Sequence, residues 1–107
     1  VYLETDFATV SDNATQGEVV DLIESIGDGE HSMAILGTED EVYIQTSYVP
    51  QIDMYNLDYR DGDAGRHYQV NVPTKELVFA AFTSYLSGNN RWRTMVEWKR
   101  DTHYEED

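Results

Sequence analysis

Three carboxylates crowd into one turn of this sequence: Asp58, Asp61 and Asp63, in the stretch Asp58-Tyr59-Arg60-Asp61-Gly62-Asp63-Ala64-Gly65-Arg66. Calcium is the first chemistry to test against them. A calcium loop of the EF-hand type spreads oxygen ligands over about twelve residues and closes on a bidentate Glu. Here the acidic residues stop at Asp63 and Arg66 follows, so that spacing is missing. Asp-Gly with a further Gly is what a hairpin turn with positive φ demands. The stretch therefore reads as a bend between two strands, with carboxylates left over as contacts.

The remaining reactive side chains do not assemble into a motif. His31, His67 and His103 are far apart, and none has a histidine or carboxylate at ligand spacing, so no zinc site is expected. No Ser sits in a nucleophile elbow. Gly27-Asp28-Gly29-Glu30 lacks the preceding strand and the following Lys of a phosphate loop. Carboxylate pairs are too common among 21 acidic residues for any one pair to signal a glycosidase. Asn13-Ala14-Thr15 matches a glycosylation acceptor, but the first residues read without a signal-peptide pattern, so little is expected of it. With no Cys there is no disulfide framework, which fits a reducing, cytoplasmic location. No cofactor, metal or catalytic residue is implied.

Charge narrows the choice of partner. Against the 21 acids stand 7 Lys and Arg, a net charge of −14. Phosphate-directed nucleic-acid binding is disfavoured, because a polyanion would be repelled. An anionic membrane is disfavoured for the same reason, and no apolar run is long enough to span one. Such a surface attracts a basic partner, or it serves solubility or a salty cytoplasm. Glu39, Asp40 and Glu41 form one acidic group, and Asp58, Asp61 and Asp63 a second. With Tyr43, these are the candidate contact residues, since Tyr beside acidic neighbours makes interface material.

The elements that position them follow from periodicity. At 107 residues and 40% hydrophobic, the chain supports one domain with one core. Residues 1–10 alternate weakly, as a strand does. Thr15-Gln16-Gly17-Glu18 is a capping box, and Val19, Leu22, Ile23 and Ile26 follow at helical spacing, predicting a helix over 16–26. From Ser32 the period changes to two. A short buried strand is expected at 32–38. A second carries Val42, Ile44 and Tyr48 on one face and ends at Pro50. A third carries Tyr55, Leu57 and Tyr59, and a fourth Tyr68, Val70 and Val72. Thr74 caps a second helix whose stripe is Val78, Ala81, Phe82, Tyr85 and Leu86, and Gly88 stops it. Trp92, Thr94, Val96 and Trp98 then alternate as a closing strand. The expected fold is α+β, a mainly antiparallel sheet of about five to six strands with two helices on one face. The other face is left to solvent or a partner.

The second half of the chain resembles a family of bacterial immunity proteins from polymorphic toxin systems, often paired with deaminase-fold toxins. The elements that carry the resemblance are Tyr59, Asp61-Gly62, Tyr68, Ala81-Phe82, Tyr85, Gly88, Trp92 and Trp98, in that order. The resemblance implies a non-catalytic α+β protein that neutralises a toxin domain, and it gives the acidic turn no metal or catalytic role. The expected mechanism is occlusion of a basic active cleft by an acidic surface. The alternative is an acidic DNA mimic that blocks a nucleic-acid-binding protein.

Overall fold

The structure, a computed structural model, describes residues 1–6, 8–27, 31–39, 42–62 and 66–100. Its elements in chain order are β1 (Tyr2–Glu4), β2 (Thr9–Ser11), α1 (Gln16–Glu24), β3 (Met33–Glu39), β4 (Val42–Val49), β5 (Met54–Asp61), β6 (His67–Val72), α2 (Lys75–Ser87), α3 (Arg91–Thr94) and β7 (Lys99–Arg100). The strands form one antiparallel sheet in the order β2-β1-β3-β4-β5-β6-β7. No helix among the described residues is long and apolar enough to cross a membrane.

The α+β architecture is as the sequence predicts, but the element count is not. Five to six strands become seven, because residues 1–11 fold back on themselves as two short strands rather than one. Two helices become three, because Trp92 and its neighbours are helical rather than extended. The reason is local hydrogen bonding. Asn89 Oδ1 accepts from the Arg91 N–H at 3.0 Å, and Ser84 Oγ, on α2, accepts from the Trp92 N–H at 3.0 Å. Those two bonds turn the chain after Gly88 and start a helical turn where the alternation predicts a strand. The strand survives only as β7.

Both longer helices begin where their caps dictate. The Glu18 N–H donates to Thr15 Oγ1 at 3.2 Å, and the Thr15 N–H donates to Glu18 Oε1 at 2.9 Å, a complete capping box. α1 ends at Glu24, two residues short of expectation. The Ser25 hydroxyl donates to the Leu22 carbonyl at 2.6 Å, and Ile26 leaves the helix to bridge His31. Thr74 accepts from the Leu77 N–H at 3.3 Å, and Gly88 closes α2 at φ 81°. At that angle a side chain would be strained, so Gly is the natural stop.

The core lies between the sheet and these helices. Leu3, Leu36, Ile44, Leu57 and Val72 from the sheet meet Val19, Ile23, Val78, Ala81 and Phe82 from α1 and α2, all nearly solvent-free. Buried Thr46 donates to the Asn56 carbonyl at 2.9 Å, which satisfies its hydroxyl. Next to α3, Tyr59 stacks on Tyr68 with ring centroids 4.7 Å apart and meets Trp92 and Trp98 edge-on, each also at 4.7 Å. The Trp98 indole donates to the Trp92 carbonyl at 2.9 Å. Trp92 is therefore core, and Trp98 packs half-buried against it.

One clasp ties the N-terminal hairpin to the centre of the sheet. The Asp6 carboxylate accepts from the Ser32 N–H at 3.1 Å, the Met33 N–H at 3.0 Å and the Ser32 hydroxyl. The Ser32 hydroxyl leads these bonds in favouring the ionised form and holding the Asp6 carboxyl below its ordinary value, against a partial opposing effect of burial.

Candidate functional site

α2 lies over β4, β5 and β6, and α1 lies over β3, all on one side of the sheet. Residues of opposite parity therefore make up the other face. Register arranges them in rows. Tyr2, Gly37, Tyr43, Arg60 and His67 form one row; Glu4, Ile35, Gln45, Asp58, Gln69 and Lys99 form the next. A third row holds Met33, Ser47, Asn56 and Asn71, where the Asn56 amide donates to Asn71 Oδ1 at 3.1 Å. Apart from Met33, Ile35 and Gly37, these rows are polar or aromatic, as a face without helices requires.

The first row has a built-in support for its aromatic end. A methyl group at Gly37 would sit 2.5 Å from Tyr2 Cζ, so the Tyr2 ring lies directly across the glycine backbone. Only Gly permits that approach. The ring thereby covers backbone that would otherwise be open to water.

His67, which has no carboxylate at ligand spacing in the sequence, has one beside it in the fold. It is 4% exposed, and its Nε2 lies 3.5 Å from Asp58 Oδ1. The sequence gives a faint signal for this: His67 has the parity opposite to Tyr68, Val70 and Val72, which places it on the helix-free face. The spacing does not reveal that it is buried there.

The expected contact residues fall into two places. Tyr43 and Asp58 lie on the helix-free face, on adjacent strands and in adjacent rows. Glu39 and Asp61 lie elsewhere, at one end of the sheet, where both are register partners of Val42 from opposite sides. Two strand spacings separate them, about 9–10 Å across the sheet. One residue of each acidic group, Glu39 and Asp61, is thus brought to the same end of the sheet. Asp61 belongs to the helix side, close to Tyr59 and Tyr85. Burial raises both phenols above their ordinary value; the Asp61 charge adds to this, and Arg93 opposes it. Asp40, Glu41 and Asp63 lie outside the described residues, as does His103.

β5, which carries Asp58 and Asp61, is followed by Gly62 at φ 105° and pairs antiparallel with β6 up to Arg60 and His67, so the two strands form a hairpin; Asp63, Ala64 and Gly65 lie outside the described residues. Among the described residues, no three His, Asp or Glu side chains gather closely enough to hold a metal ion.

One pairing escaped the sequence altogether. Ser25 Oγ lies 2.8 Å from His31 Nδ1. A nucleophilic serine needs its proton directed at the imidazole. Here the Leu22 carbonyl lies 2.6 Å from Ser25 Oγ and competes with the imidazole for the hydroxyl proton.

Compared with protein-family models, curated proteins and solved structures, the chain matches none. The geometry defines the class at the level of fold: an α+β domain whose antiparallel sheet has helices on one face only.

Proposed function

We propose that this chain is an immunity protein, which binds a toxin domain acting on nucleic acid, such as a deaminase, and occludes its basic active cleft. One observation carries the reading: the sheet presents a helix-free, polar and aromatic face on a molecule of net charge −14. A regular antiparallel sheet is a rigid platform, so side chains on its rows bind without first being ordered. Tyr43 and Asp58 supply an aromatic anchor and an anionic contact on that platform, and Arg60 and Lys99 on the same face give it a charge pattern that sets orientation. The acidic edge at Glu39 and Asp61 steers a cationic partner toward it.

The test is co-expression with the toxin encoded beside the gene, read as growth. The wild-type chain is expected to restore growth, and a folded Tyr43→Ala, Asp58→Lys double variant to lose that protection. Growth arrest that the wild-type chain does not relieve would refute the reading. Unchanged protection by the double variant would move the interface off this face.

A further inference from the structure

Away from the helix-free face, β2, α1 and the bridge at His31 enclose a cleft of about 290 Å³, lined by Val10, Glu18, Asp21, Leu22, Ser25 and His31. Its floor is apolar. Leu22 forms the buried part, and Val10 stands 44% exposed, one of few large aliphatic side chains so placed among the described residues. A β-branched residue left open on an edge strand gains by being covered.

Among the described residues, the rim offers acceptors without a matching cationic donor. Glu18 spends Oε1 on the Thr15 N–H, which leaves Oε2. Asp21 is exposed one turn further along the same side of α1. His31 is held at both ends: its carbonyl accepts from the Gly27 N–H at 3.4 Å, and its Nδ1 lies 2.8 Å from Ser25 Oγ. With Nδ1–H turned to Ser25, a neutral ring presents a lone pair at Nε2. None of the described lining residues is Lys or Arg.

An apolar floor under a rim of carboxylates and a lone pair fits one kind of occupant: a long aliphatic stem that ends in a cation with several donors. We propose that this cleft receives an arginine side chain of the partner protein. The methylene stem would cover Val10 and Leu22, and the planar guanidinium would share its donors among Asp21, Glu18 and the imidazole. Lysine fits less well, because a compact, strongly hydrated ammonium cannot spread over several acceptors. The proposal rests on the reading that the partner is basic, but it concerns a second contact, on the far side of β1 from the sheet face. An anchor in a pocket, with electrostatic contacts around it, is how interfaces concentrate their energy.

The experiment uses the full labelled chain and small probes, so it does not depend on identifying a toxin. N-acetyl-arginine methylamide is titrated into the protein by NMR, beside the lysine and norleucine analogues. The arginine probe is expected to shift the Val10 and Leu22 methyl signals and the His31 ring proton saturably. Asp21→Asn should weaken that binding about threefold, the scale of one exposed charge contact. Glu76→Gln, which removes an exposed acid on α2, should leave it unchanged. Asp21 is at an exposed helix position, and dispersed amide signals will confirm that the variant folds. Shifts scattered over the acidic surface, equal responses to the lysine or norleucine probe, or equal effects of the two variants would overturn the proposal. So would the absence of any shift, and protection from the toxin in co-expression would then still stand.

Discussion

At the scale of single residues, Phe82 and Asp6 bear different burdens. Phe82 is solvent-free on the stripe of α2, so losing its ring removes buried apolar contact and leaves a cavity. Phe82→Ala is expected to cost about 3–5 kcal/mol in urea unfolding. A cost below about 1 kcal/mol would contradict the close packing around it. Asp6 acts through charge and hydrogen bonding rather than bulk. Its folded carboxyl sits below the unfolded value of about 3.9. The stabilisation it gives is therefore complete above that pH and is lost as pH falls through the lowered folded value. Asp6→Asn should be less stable than wild type near neutrality, and should lose less further stability between about pH 5 and about pH 2. Equal acid slopes for the two proteins would show that the clasp does not depend on ionisation.

At the scale of elements, the capping box and the tyrosine over Gly37 make separable predictions. Thr15→Ala removes the acceptor for the Glu18 N–H and should cost about 0.5–2 kcal/mol. Gly37→Ala should displace the Tyr2 ring, so its cost should largely vanish when Tyr2 is already Ala. A double-mutant cycle measures that coupling directly; additive costs would mean that the ring does not lie on the glycine. These elements also show what the sequence makes legible. Thr15 with Glu18, Thr74 with Gly88, and the alternation through β4 and β5 are local signals, and the structure follows them to within a residue or two. The turn after Gly88 is not local. It depends on Ser84, on α2, meeting the Trp92 N–H, and nothing in the spacing of Trp92 and Trp98 reveals that bond. The same holds at the candidate site. Parity alone places Tyr43 and Asp58 on one face, whereas the convergence of Glu39 and Asp61 on Val42 needs the register of three strands. The Ser25–His31 pair needs the parallel bridge at Ile26, which no periodicity announces.

At the scale of the whole molecule, the charge has a consequence that needs no partner. A net charge of −14 on a chain of this size repels itself, and the folded state suffers more than the expanded one. Stability should therefore rise with salt. The urea midpoint is expected to increase between about 0.02 M and about 0.5 M NaCl with an unchanged m-value, as the Debye length shrinks to a few ångströms. A flat midpoint would mean that the charges are spaced widely enough not to interact. In complex with a basic partner, salt should act oppositely and slow association, with a smaller effect on dissociation. Surface plasmon resonance at two ionic strengths reads this, and a salt-independent association rate would leave the acidity a solubility device only.

Strand order bears on how the molecule reaches this state. From β3 to β6 each strand pairs with the next in the chain, so every pairing closes a short loop. β1 is different: it meets β3 only after α1 has been traversed, and β2 reaches the sheet only through β1. Loop closure favours the meander as the folding nucleus and the N-terminal hairpin as a late addition. Leu57 and Leu3 are equally solvent-free, yet they should behave differently in kinetics. Leu57→Ala should slow folding, with a substantial φ-value, and Leu3→Ala should mainly speed unfolding. Chevron plots of the two variants decide it, and similar φ-values at both sites would place β1 in the transition state after all.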